Sequence, residues 1–180
     1  VDLPPLTARP NFRCDNDKIE QLVSDGIYFL ADTADWETSE PWPSLTADGL
    51  RADPLNIQGG ASGVLIFLNS VLQSHAPTQL KDAAASLSNP LTEWITTQLS
   101  ADPRVLPGLY FGRSGTALAL IENSTERTVV EAATSALLRA PVRWFSPDIT
   151  HGISGLGIAC LRAYQITKDP RFRQRVQTIA

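Results

Sequence analysis

Residues 148–165 read DITHGISGLGIACLRAYQ, and the six positions from Gly152 to Gly157 hold glycines at 152, 155 and 157, at the start of an otherwise apolar helix. Glycine inside a helix costs roughly 1 kcal/mol relative to alanine, so glycines this close together call for a physical reason. The rest of the chain supplies one. Gly152-Ile153-Ser154-Gly155 is the third copy of a Gly-x-Ser-Gly frame, after Gly60-Ala61-Ser62-Gly63 and Gly112-Arg113-Ser114-Gly115. Each frame follows a proline (Pro54, Pro107, Pro147) and opens an apolar run. A glycine without Cβ lets two backbones approach closely, so the frame predicts a helix N-terminus pressed against other main chain, repeated along the sequence.

The segments between the frames have a different character. GASGVLIFLNSVL, GRSGTALALIE and GISGLGIACLRAYQITK are dense apolar helices. APTQLKDAAASLSNPLTEWITTQLSADP and STERTVVEAATSALLRA mix polar and apolar residues at helical spacing. No run alternates with period two. The fold class is therefore all-α, with an inner layer of apolar helices and an outer layer of amphipathic ones. An earlier helix follows Asp15 or Asn16, with Ile19, Leu22, Val23, Ile27, Phe29 and Leu30 near helical spacing. Pro90 is expected to kink or split its helix, and Ser124 or Thr125 to cap the next one. Residues 1–14 read as an extended arm, residues 15–180 as the helical domain, and residues 32–58 as a long structured loop. The final segment, DPRFRQRVQTIA, starts a helix and stops without a cap, as a piece of a longer protein would.

Composition narrows the function classes. The 180 residues are 43% hydrophobic and 19% charged, suited to a globular core, and the net charge of −4 gives no basic footprint for nucleic acid or an anionic membrane surface. No stretch approaches the roughly 20 apolar residues that span a bilayer. Cys14 and Cys160 are far apart and form no metal-ligand spacing. A reducing, cytoplasmic setting is the simplest expectation.

The stretches DPLNIQGGASGVLIFL, LPGLYFGRSGTALAL and PDITHGISGLGIACLRAYQITKD resemble, in order, the first three inner-helix motifs of the LanC-like cyclase family of lanthionine synthetase domains. EPWPSLTADGLRADPLNIQGG is similar to cyclase domains that follow kinase-like and lyase domains in class III and class IV lanthipeptide synthetases. The resemblance covers about residues 15–180. It implies an α/α toroid of seven inner and seven outer helices, of which this chain would hold about three repeats, the N-terminal half of the domain. It also implies a reaction in which a precursor-peptide cysteine adds to dehydroalanine or dehydrobutyrine to close a thioether ring. Zinc, where the family uses it, is held by two Cys and one His of later repeats, so the ligands would lie outside this chain and none is assigned to it. The remaining half of the cyclase, or another chain, is the implied structural partner.

The resemblance carries one catalytic position over. Its third repeat often begins Asp-x-x-x-Gly-x-x-Gly, matched here by Asp148, Gly152 and Gly155, which makes Asp148 the candidate acid, base or thiol-orienting group. In the other two repeats the same register holds Asn56 and Gly108. An Asp there is also what a helix cap requires. His151 is the second candidate, because histidine is the side-chain type most easily tuned to neutral pH, and Arg113 is a candidate for holding a carboxylate or phosphate of the substrate, against a plain ion pair. Trp36 and Trp42 either pack their loop or grip a peptide. A serine-hydrolase elbow is excluded because position five of each frame is Val64, Thr116 or Leu156 and no strand precedes. No Gly-Lys-Ser or Gly-Lys-Thr phosphate loop occurs. The competing readings are a non-catalytic scaffold for a peptide or protein and, more weakly, a carbohydrate-processing toroid, which would need a second carboxylate at a matching register.

Overall fold

The computed structural model describes residues 15–37, 40–42, 53–101 and 106–179. The arm at 1–14, with Cys14, and most of the loop between Glu37 and Asp53 lie outside the described residues. Within them the chain forms helices α1 (Asn16–Thr33), α2 (Ala61–Gln73), α3 (Thr78–Ala101), α4 (Arg113–Asn123), α5 (Arg127–Arg139), α6 (Ile153–Thr167) and α7 (Pro170–Ile179), and no strand. The frame helices α2, α4 and α6 lie side by side in one layer, and α1, α3, α5 and α7 form a second layer behind them. The all-α class and the division into apolar and amphipathic helices are thus as the periodicity predicts. α4, flanked by both siblings, is buried at every position from Arg113 to Ile121, and its partly polar face is covered as fully as its apolar one.

Layer contact is made by Leu65 and Leu68 of α2, Leu91 and Ile95 of α3, Leu120 of α4, Leu137 of α5, Leu156 of α6 and Phe172 of α7, all at most 1% exposed. Burial of a side chain of this size contributes about 1.5–3 kcal/mol. Such packing also explains Pro90. It neither splits nor ends α3, which runs unbroken from Thr78 to Ala101. Proline forfeits one backbone hydrogen bond, and the contacts of α3 with α1, α2, α4 and α5 hold the helix together across the gap. The expected Ser124 cap is displaced as well. Ser124 ends α4, and its Oγ accepts from the Glu126 N–H at 3.1 Å in the turn before α5, while the residue preceding α5 is Glu126. Likewise, Asp15 precedes α1 with no side-chain cap bond. At α7, Asp169 accepts from the Arg171 N–H at 2.9 Å, which realises the helix start seen in the sequence.

The three frames share one geometry. Each helix is preceded by a loop that turns back on it, so that the first helical N–H donates to a carbonyl seven residues earlier: Ala61 to Pro54 at 2.8 Å, Arg113 to Leu106 at 3.1 Å, Ile153 to Ser146 at 3.0 Å. A Cβ on the first glycine of any frame would strike that same carbonyl, and on the second glycine it would strike the carbonyl of Ile57, Leu109 or Ile149. The loops also bond to each other. The Gln58 N–H donates to the Tyr110 carbonyl at 3.3 Å and the Tyr110 N–H to the Thr150 carbonyl at 3.3 Å, so loop one leans on loop two and loop two on loop three in matching register; the Ile57 N–H, to Tyr110 at 3.0 Å, and the Leu109 N–H, to Ile149 at 2.8 Å, add to the seam. The frame serines take part too: Ser62 Oγ donates to the Leu55 carbonyl and Ser154 Oγ to the Pro147 carbonyl, each seven residues back.

Backbone cannot yield as a flexible side chain does, so glycine at these positions is a requirement. Gly155→Ala should destabilise the fold by about 1–3 kcal/mol or more, because its Cβ meets both the Ile149 carbonyl and the backbone of loop two. Gly59→Ala, where a Cβ has open space, should change stability by less than about 0.5 kcal/mol. Urea unfolding of the two variants beside the parent chain measures the contrast.

Candidate functional site

The third loop carries the candidate residues, and its local structure accounts for most of them. Asp148 stands four residues before Gly152, as Asn56 stands before Gly60. The side chains do the same work: Asn56 Oδ1 accepts from the Gly59 N–H at 2.7 Å, and Asp148 Oδ1 accepts from the His151 N–H at 2.6 Å, each three residues on. In the second loop that position is Gly108, where any Cβ would run into the Thr150 carbonyl and the His151 backbone of the neighbouring loop. The register therefore holds a loop-bracing amide, a glycine at a close approach, and a loop-bracing carboxylate.

Charge and exposure set Asp148 apart from Asn56. Asn56 is buried, whereas Asp148 lies at the surface. Its Oδ2 accepts a hydrogen bond from Ser146 Oγ. That hydroxyl first, then the His151 N–H, hold the carboxyl below its ordinary range. Asp148 is accordingly an anion at neutral pH. The His151 ring lies beside it, with Nδ1 3.7 Å from Oδ1, and stacks on Phe111 with centroids 4.8 Å apart and planes 2° apart. Phe111 belongs to the second loop, so the seam between loops fixes the imidazole plane. Roughly half of both side chains is exposed, which leaves the pair open to a substrate at the N-terminal ends of α4 and α6.

Arg113 lies elsewhere. It is 8% exposed, and its Nε is 2.7 Å from Asp53 Oδ2. Asp53 in turn accepts from the Leu55 N–H at 3.1 Å through Oδ1. The guanidinium thus ties the base of loop one to the start of α4, and Thr116 Oγ1 adds a second tie by donating to the Leu55 carbonyl at 2.8 Å. Arg113 is not brought together with Asp148 and His151. Trp42 donates from Nε1 to the Leu30 carbonyl at 3.1 Å and meets Trp36 edge to face at 5.8 Å. With Glu40 and Pro41 it borders a pocket of about 470 Å³ over Ile57, Gly60, Gly63 and Phe67.

Among the described residues no group of three His, Cys, Asp or Glu side chains could hold a metal ion. Cys160 sits fully buried inside α6, and burial pushes its thiol up to about 11, the reverse of the thiolate that a zinc ligand or nucleophile requires. Sequence reading missed Ser146 and Phe111, which orient Asp148 and His151. Ser146 stands at the same register as Pro54 and Leu106, so the hydroxyl two residues before Asp148 was the available signal. Against protein-family models, curated proteins and solved structures, the chain has no match. No described helix is long and apolar enough to cross a membrane.

The lowered carboxyls give the fold a sign-defined acid response. Asp148 is depressed by Ser146, and Asp169 by the Arg171 guanidinium. Because their folded pKa values lie below the unfolded ones, their stabilisation is present above about pH 4 and is lost as pH falls through the folded values. The melting temperature should therefore drop on acidification below about pH 4, and Asp148→Asn should lessen the drop. A second check addresses the thiol. Iodoacetamide at pH 8, followed by peptide mapping, should leave Cys160 unmodified in the native chain and alkylate it in denaturant.

Proposed function

We propose that the chain is part of a LanC-like cyclase domain, its two helical layers belonging to an α/α toroid, and that it forms lanthionine and methyllanthionine rings in a precursor peptide. The observation that carries this reading is the exposed Asp148–His151 pair, oriented by Ser146 and Phe111, at the one frame of three with an ionisable side chain four residues before its first glycine. The sequence resemblance at the three frames supplies the reaction class. The rest of the cyclase domain, the dehydrating kinase-like and lyase domains, and any zinc site would lie beyond these residues.

In this reading the peptide cysteine loses its thiol proton to the His151 imidazole, and sulfur forms a bond to the β-carbon of dehydroalanine or dehydrobutyrine. The C=C electron pair moves onto the α-carbon as an enolate, and the same proton returns to that carbon. The sum is an addition, with no leaving group. Asp148, held anionic by Ser146, stabilises the imidazolium rather than donating a proton itself. It is a positioning group for His151. The scaffold alternative also has a specific basis, since the bond from Asp148 to the His151 N–H repeats a bond that Asn56 makes for purely structural ends.

That equivalence yields a clean separation of roles. In the protein as it occurs in the cell, Asp148→Asn should keep the loop bond, as Asn56 does, and so leave the melting temperature within about 1 °C at neutral pH. Ring formation on a dehydrated precursor, followed by thiol-trapping mass spectrometry, should slow by roughly 10²-fold or more, the scale of a lost acid–base arrangement. An unchanged rate at unchanged stability would exclude an essential role for that carboxylate, and a dehydrated precursor that gains no rings even with the parent protein would establish the scaffold reading instead.

A further inference from the structure

The loops before the three frames stack like strands, and one rung of the stack is bare. Gly59, Phe111 and His151 each stand immediately before the first glycine of a frame. The bonds from the Gln58 N–H to the Tyr110 carbonyl and from the Tyr110 N–H to the Thr150 carbonyl hold the preceding residues level with one another. Side chains at one level of paired strands are neighbours. The rings of Phe111 and His151 meet in this way, parallel within 2° and with centroids 4.8 Å apart, the spacing of adjacent strands. The next rung, over loop one, carries no side chain because its residue is Gly59.

Steric need does not account for that glycine. A Cβ on the frame glycines would strike backbone, whereas a Cβ on Gly59 meets nothing within 4 Å, and its φ lies outside the left-handed range that favours glycine. Glycine also loses more conformational freedom on folding than any other residue, so the fold gains nothing from it here. Phe111 stands outside the hydrophobic core cluster and is half-buried, and among the described residues His151 is the one ring that it meets. The face of Phe111 turned away from His151 therefore looks onto the bare rung. Both the Phe111 ring and the Gly59 main chain belong to neighbouring loops, so the slot between them is the same whatever packs on loop three or on the outer side of α2.

We infer that this slot is a subsite for an aromatic side chain of the peptide substrate, which stacks on Phe111 in line with His151. A planar ring is the occupant that continues a parallel stack, since it lies flat on the Phe111 face at one rung's spacing, as a bulky aliphatic chain cannot. Two rungs separate the occupant from His151, about 10 Å, which an extended peptide covers in roughly three residues. The subsite thus favours precursors with an aromatic residue about three positions from the reacting cysteine. Assigning the ring to the precursor rests on the cyclase reading, whereas occupancy of the slot needs no chemistry and is measured apart from it.

Binding of N-acetylphenylalanine amide to the protein as it occurs in the cell, with its phenylalanines and glycines labelled for NMR, tests the subsite. The probe should shift the Phe111 ring and Gly59 resonances upfield, and N-acetylcyclohexylalanine amide, equally apolar but not flat, should bind about 2- to 10-fold more weakly. Gly59→Leu, which lays its own side chain on Phe111, should abolish these shifts and leave the melting temperature equal to or above the parent's. Equal binding of the two probes, shifts confined to other residues, or shifts that persist in Gly59→Leu would overturn the proposal. So would a lowered melting temperature of that variant, which would show the rung to be filled already. If the aromatic probe binds at Phe111 but no dehydrated precursor gains a ring, the aromatic site stands and the cyclase reading falls. If rings form while the probe leaves Phe111 unmoved, the cyclase reading stands and the subsite falls.

Discussion

The structure depends on main chain meeting main chain at the start of each frame helix. A glycine without Cβ lets a helix begin directly beneath the carbonyls of its own preceding loop, and that loop then lies flat enough to bond to the next one. The first helical N–H of each frame, an orphan in an unadorned helix, finds a partner seven residues back. One constraint therefore caps three helices, sets the spacing between them and builds a continuous seam along their N-terminal ends. The core of leucines and isoleucines fills the space behind that seam, and supplies most of the burial energy without setting the register.

The candidate site is a by-product of the seam. His151 is stacked on a residue of the neighbouring loop, and Asp148 is braced by the loop it caps, so both side chains are oriented by backbone that the fold already fixes. Sites built on such rigid supports lose little freedom when a substrate binds. The pair of buried Arg113 with half-buried Asp53 performs a related task one junction away, tying loop one to α4. Removing the carboxylate would leave a buried guanidinium without that partner, which is costly and suits a fixed anchor better than a group that must meet a substrate.

Much of this was legible in the residues because glycine's requirement is local. A glycine recurring in a fixed frame before apolar runs announces a close approach whatever lies on the other side, and the all-α layering follows from the periodicity between the frames. What the residues concealed were the partners. The carbonyls that receive Ser62 and Ser154 carry no side-chain signature, so nothing in the sequence marks these serines as loop donors. Asp53 lies far from Arg113 in sequence, and nothing in either neighbourhood marks them as a pair. Pro90 misled for a different reason: propensity argues for a break, and contact with four helices overrides it. Asp148 was found by register, yet its structural likeness to Asn56 emerged only once both loop bonds could be compared.

The central claim is that the loops are as firmly held as the helices they precede. Native-state amide hydrogen exchange measures this directly, with the N–H groups of Ile57, Leu109 and Phe111 as reporters, since each donates across the seam. The account predicts that these loop amides exchange only with global unfolding, alongside Leu120 and Leu137 of the core. Loop amides that exchange many-fold faster, while the core stays protected, would contradict it and leave the helices standing without their seam.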